Sequence, residues 1–183
     1  NLIVSTDKLP KHYDLFGVTD NILFLYKDPK SNIVSWCKRK FHRSDKLKPQ
    51  LFSETEIETG IRWWLEITTK IIDWLEIQRA EISTLSLEDF AGDPRGVTRA
   101  LCGWLGMEFD PAAVDFWERD LHYIGGNHSV KRLSSDKHFY RRIVVDDRWK
   151  DHLSDIAVKR INEDNEISSL VKKIKNKCRL MFC

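Results

Sequence analysis

Hydrophobic and polar positions follow two alternating rhythms along this chain. From Ile22 to Tyr26 five apolar or aromatic residues run without a break, the pattern of a strand buried on both faces. The run stops at Lys27-Asp28-Pro29, and Ile33, Val34 and Trp36 then recur at helical spacing. Asp28 suits the N-cap of that helix, and Pro29 suits its first position, where no backbone donor is lost. Leu2 to Ser5 reads as an earlier short strand, followed by a polar turn broken by Pro10. Between Lys38 and Ser53 the sequence turns basic and irregular, which predicts a surface loop.

From Glu54 onward Ile57, Ile61, Trp64, Leu65, Thr68, Ile71, Ile72 and Leu75 mark one face of a long amphipathic helix. Ile82 to Leu87 reads as a strand with Glu88-Asp89 at its carboxyl end. Asp93 and Pro94 open a helix that runs to Leu105 and is stopped by Gly106, and Asp110-Pro111 repeats the start signal. Gly125-Gly126-Asn127 marks an irregular loop. Ile156 and Ile161 predict one more helix, and Ile167, Leu170, Val171 and Ile174 another, with a basic tail from Lys172 to Arg179. Strands alternating with helices predict an α/β protein with a parallel sheet, and 183 residues suffice for a single domain spanning 1–183.

Composition narrows the function classes. Apolar residues make up 42% and charged residues 32%, the balance of an ordinary globular domain. The net charge of +2 gives no global field for nucleic acid, so an anion site must come from locally placed cations. No run approaches the roughly eighteen apolar residues of a membrane span. Asn1 to Pro10 lacks the basic head and apolar centre of a secretory signal. The expectation is a cytoplasmic protein; the alternative is a lumenal domain tethered to a membrane. Cys37, Cys102, Cys178 and Cys183 form no CxxC and no zinc-like pairing with histidine, so neither a metal site nor a disulfide framework is expected. Oligomeric state is not legible.

The chemistry centres on the Lys27 junction. A helix N-terminus following a parallel strand favours anions, and such crevices lie at the carboxyl ends of strands. The order Lys27-Asp28-Pro29 with Ser35 eight residues after Lys27 resembles the sulfotransferase element, usually R-D-P with a Ser on the next helix, that grips the 3′-phosphate of 3′-phosphoadenosine 5′-phosphosulfate. The stretch from Leu85 to Gly106 resembles the family's Y-E-D-L…D-P…L…F-L-G segment, and Phe109-Asp110-Pro111-Ala112 follows in the matching place. His122 to Arg132 resembles its late G-N-x-x-R cofactor loop, and Ile143 to Leu153 the helix start after it. The three occur in the family's order and cover most of residues 2 to 153.

This resemblance implies a P-loop-like three-layer α/β/α sandwich with a parallel sheet, incomplete at its N-terminus and corresponding to about the C-terminal two-thirds of a complete domain. It implies a sulfotransferase moving a sulfuryl group from 3′-phosphoadenosine 5′-phosphosulfate (PAPS) to a hydroxyl or amine of a small-molecule or carbohydrate acceptor, leaving adenosine 3′,5′-bisphosphate (PAP). Lys27, Ser35, Gly126, Asn127, Lys131 and Arg132 are the implied cofactor-binding residues. Lys131 or Arg132 stands in for an arginine that is not in its usual place, and Lys27 replaces an arginine whose forked grip lysine cannot reproduce. Asp7-Lys8-Leu9-Pro10 resembles the element whose lysine approaches the transferred group, which makes Lys8 a candidate catalytic cation; His12 is a candidate general base. The residues before Lys27 contain one glycine, Gly17, and no glycine-rich loop for the 5′-phosphosulfate. The alternative is therefore a catalytically inactive or truncated relative that binds nucleotide or a partner.

Overall fold

The computed structural model describes residues 21–42, 50–115, 145 and 147–178. These form a mixed α/β structure that is mostly helical, with one two-stranded parallel sheet. Strand β1 spans Asn21–Tyr26 and β2 spans Glu81–Ser86. They pair in step, from Asn21 opposite Glu81 to Tyr26 opposite Ser86, so both carboxyl ends emerge at one edge. Helices α1 (Pro29–Lys40) and α2 (Glu54–Ile77) make the crossover between them that parallel strands require.

Helix α1 begins where its sequence predicts: the Asp28 carboxylate accepts the Lys30 N–H at 2.8 Å, with Pro29 in the first turn. It runs further than expected, since Lys38, Arg39 and Lys40 form its last turn rather than a loop. Cations there complement the negative end of the helix dipole. Phe41 caps it and His42, at φ 51°, takes the chain out of the helix. Helix α2 opens with a capping box: Ser53 Oγ accepts the Glu56 N–H, while the Glu56 carboxylate accepts the Ser53 N–H at 2.8 Å.

The main core forms where Ile33, Val34 and Cys37 of α1 meet Ile57, Ile61 and Trp64 of α2. Gly60 lets the helices approach closely: a Cβ there would stand 2.6 Å from Cys37 Sγ and 2.8 Å from Ile33 Cγ2. Helices α5 (Asp155–Glu163) and α6 (Asn165–Lys175) close this core with Ile161 and Ile167. Trp36, Trp63 and Trp64 serve packing: Trp64 is buried, and Trp63 stacks on Trp36 with ring centroids 5.0 Å apart.

A second core lies at β2, where Leu85 meets Val97 of α4 (Pro94–Trp104) and Leu23, Phe90, Leu101, Trp104 and Cys178 pack around them. Buried Thr84 donates its hydroxyl to the Ile174 carbonyl at 2.9 Å, tying β2 to α6. The strand expected to reach Leu87 ends one residue earlier. Ser86 accepts the Asp89 N–H and caps a short helix α3 (Leu87–Gly92) instead. Asp93 caps α4 through the Gly96 N–H at 2.9 Å, and Gly106 at φ +67° ends it as the sequence predicts. The Met107 N–H returns to the Cys102 carbonyl at 2.8 Å, the Schellman bond. Asp93→Ala is expected to cost about 1 kcal/mol of stability, measured by urea unfolding.

Asp110-Pro111 opens only a single 3-10 turn, Pro111–Ala113, and another 3-10 turn spans Arg148–Asp151. Cys37 and Cys102 are free thiols, as their apolar surroundings imply, but Cys178 is disulfide-bonded. A single bridge needs only one close pair in space, which the sparse cysteine spacing did not disclose. Among the described residues no helix is long and apolar enough to cross a membrane.

Candidate functional site

The parallel register brings two chain segments together at the carboxyl edge of the sheet. Lys27 and Asp28 leave β1 beside Ser86, Glu88 and Asp89, which leave β2. The Asp28 N–H donates to Glu88 Oε1 at 3.0 Å, a contact across sixty residues of sequence. Lys30 folds back over the turn, its Nζ 3.1 Å from Asp28 Oδ2 and 3.0 Å from Asn162 Oδ1. The same ammonium lies 5.3 Å from the ring centroid of Trp149, within cation–π range.

This arrangement changes how the edge treats an anion. The Lys30 N–H, which the sequence offers to a phosphate, is already met by the Asp28 carboxylate. Glu88 and Asp89 add negative charge beside it. Anion affinity at this edge therefore depends on side-chain cations and hydroxyls rather than on the helix N-terminus. Lys27 is half-buried at the strand end, and Ser35 is half-buried on α1. Ser35 Oγ accepts a hydrogen bond from Arg39 Nη1 at 3.2 Å. A hydroxyl backed by a guanidinium is chemistry that suits a phosphate dianion; Lys27 stands eight residues before it, just past the end of β1.

Tyr26 closes the edge from the β1 side. Burial pushes its phenol above the usual range, and the carboxylates of Asp89 and Glu88 push it the same way, while a hydrogen bond from Ser86 partly offsets them. Because the folded phenol holds its proton more tightly than the unfolded one, its contribution to stability is complete below pH 10. That contribution is lost as pH rises through the raised value. Phenolate absorbance of the native protein should include a component that titrates later than in unfolded chain, and Tyr26→Phe should abolish it. Normal titration of every tyrosine would contradict the geometry.

Of the residues singled out in the sequence, Lys27 and Ser35 lie on this unit. Lys8, His12, Gly126, Asn127, Lys131 and Arg132 lie outside the described residues, as do the strand expected at Leu2 to Ser5 and the Gly125-Gly126-Asn127 loop. Arg39 was not foreseen, although its spacing of four from Ser35 is the one that places two side chains on one helix face. Glu88 as a partner of Asp28 carried no local signal. Among the described residues no His, Cys, Asp and Glu cluster fits a metal ion, and no buried side-chain polar atom lacks a partner. A shallow depression of about 420 Å³ lined by Ile156, Lys159, Arg160, Glu163 and Asp164 lies on α5. Its charges are spent on ion pairs, Arg160 with Glu58 and Lys159 with Glu163.

No family model, curated protein or solved structure matches the chain.

Proposed function

We propose that this chain is a sulfotransferase-type domain that binds PAPS and transfers its sulfuryl group to a hydroxyl or amine. The observation that carries the reading is the junction itself: a parallel strand ends at Lys27-Asp28-Pro29, and the following helix bears Ser35. In this reading β1 and β2 belong to the parallel sheet of a P-loop-like three-layer α/β/α sandwich. The segment from Leu85 to Gly106, built as a strand end, short helix and capped helix, follows the order of the family pattern it resembles.

Sulfuryl transfer asks for alignment of donor and acceptor, neutralisation of charge on the leaving phosphate and removal of the acceptor's proton. Lys27 and the Ser35 hydroxyl hold the 3′-phosphate of the donor, with Arg39 orienting that hydroxyl. Gly126, Asn127, Lys131 and Arg132 complete the nucleotide grip, Lys8 approaches the transferred group, and His12 takes the proton. The donor supplies the activated sulfuryl group, and PAP leaves. The direct test is transfer from sulfur-labelled PAPS to phenolic, sugar and amine acceptors, run beside calorimetry with PAP and AMP. Preference for PAP over AMP supports the reading, and robust turnover by this chain would mean that other residues, Lys8 and the Lys131-Arg132 pair, replace the glycine-rich loop; equal affinity for PAP and AMP removes the 3′-phosphate argument.

A further inference from the structure

The turn that carries Lys27 lies between two ladders of backbone hydrogen bonds. The strand pairing ends with Tyr26 opposite Ser86. Helix α1 begins its own ladder with the Asn32 N–H donating to the Asp28 carbonyl at 3.0 Å, and Pro29 has no N–H to offer. The Asp28 N–H is met from outside the segment, by Glu88 Oε1 at 3.0 Å. Glu88 reaches it from a fixed base. It stands in the first turn of α3, two residues after buried Ser86, whose hydroxyl accepts the Asp89 N–H at 2.9 Å and ties that turn to the end of β2. From the α1 side, the Asp28 carboxylate accepts the Lys30 N–H at 2.8 Å and meets the Lys30 ammonium at 3.1 Å. Asp28 is thus held at its amide by one element and at its side chain by another.

We propose that Glu88 is a positioning residue for Lys27, acting through the Asp28 amide. The peptide unit is planar, so the Asp28 N–H, the Lys27 carbonyl and the Lys27 Cα share one plane. Fixing the direction of that N–H therefore fixes the plane from which the Lys27 side chain departs. A lysine carries its charge on a flexible stem, and its aim is set at the root before any partner binds. Groups that hold a ligand need this kind of support from neighbouring hydrogen bonds. The charge of Glu88 gives a different expectation: a carboxylate beside an anion site opposes the anion, so its contribution there must come from the bond it makes. The purpose of the arrangement rests on the sulfuryl-transfer reading, in which Lys27 holds the 3′-phosphate.

The test uses the full chain, with two measurements that need no nucleotide. Amide hydrogen exchange followed by NMR reports on the Asp28 N–H. Acylation of the Lys27 amine by an activated ester, followed by peptide mass spectrometry, reports on the freedom of that side chain. Glu88→Ala should speed Asp28 exchange by about tenfold or more, through loss of a bond to a charged acceptor, and accelerate acylation of Lys27 beyond that of the other lysines. Glu88→Gln keeps an oxygen acceptor of the same reach and should bring both back to within about threefold of wild type. Asp93→Ala, which removes the cap of α4, should leave both unchanged and so separates positioning from a general loss of stability. With nucleotide, Glu88→Ala should cut the preference for PAP over AMP by about fivefold or more, and Glu88→Gln should restore it. Unchanged Asp28 exchange or Lys27 acylation in Glu88→Ala, no restoration by Glu88→Gln, an equal change in Asp93→Ala, or a PAP preference that survives Glu88→Ala would each overturn the proposal. Equal affinity of the wild type for PAP and AMP would instead remove the sulfuryl-transfer reading, and the nucleotide-free measurements would then decide by themselves whether Glu88 positions Lys27.

Discussion

Gly60→Leu is expected to destabilise the protein by about 2 to 3 kcal/mol through overpacking at the α1–α2 contact. A Cβ at Gly60 meets Cys37 Sγ at 2.6 Å and Ile33 Cγ2 at 2.8 Å, and both partners are fully buried. Neither atom is the free end of a long side chain, so relief requires the helices to move apart. Moving them would loosen the contacts of Ile57, Ile61 and Trp64 as well. The effect opposes helix propensity, which favours almost any residue over glycine by up to about 1 kcal/mol. Gly103→Ala on α4 isolates that second influence, because nothing lies within 4 Å of its Cβ position. It should stabilise by about 0.5 to 1 kcal/mol. Thermal unfolding would show the pair moving in opposite directions, at roughly 2 to 4 °C per kcal/mol for a chain of this length. A Gly60→Leu protein as stable as wild type would mean that α1 and α2 do not pack this closely.

Under the proposed reading, Lys27→Ala should weaken binding of PAP by about 1.5 to 3 kcal/mol, roughly 10- to 150-fold, the worth of a charge-assisted contact to a 3′-phosphate. AMP, which lacks that phosphate, should lose little. Lys27→Arg should strengthen PAP binding, since a guanidinium presents a planar fork that an ammonium lacks. Ser35→Ala should cost about 1 kcal/mol, the worth of one hydroxyl hydrogen bond. Calorimetry on the four proteins reads all of this. The local field makes the test stringent: the Asp28, Glu88 and Asp89 carboxylates already stand at the strand ends. If Lys27→Ala leaves PAP affinity unchanged, Lys27 does not hold a 3′-phosphate, and the proposed reading loses the residue it rests on.

Much of the local structure was legible in the residues. Capping signals are short-range chemistry, so Asp28 and Asp93 begin their helices where the sequence places them, and Gly106 ends one. The long period of Ile57, Ile61, Trp64, Thr68, Ile72 and Leu75 marks the buried face of α2 without reference to any partner. Where a local signal was ambiguous the expectation failed. Lys38 to Lys40 looked like loop because they are charged, yet cations are favoured in the last turn of a helix whose opposite face is buried. Leu87 looked like strand because it is apolar, yet the hydroxyl of Ser86 caps a new helix just before it.

For the candidate site, the sequence by itself marked the strand–turn–helix unit that carries Lys27 and Ser35, because its apolar run and its Asp28 cap are local signals. The closeness of Glu88 to Asp28 was decided only in three dimensions, by the in-step parallel pairing of strands sixty residues apart. The strands are joined through α1 and α2 rather than by a tight turn, so no local turn geometry sets their register. The same holds for Gly60, where an ordinary glycine in a helix pattern becomes the point of contact between two helices. It holds for Thr84, whose hydroxyl finds the carbonyl of Ile174 ninety residues away. Such pairings arise when buried polar groups and core volumes are satisfied together, and that condition belongs to the folded chain as a whole.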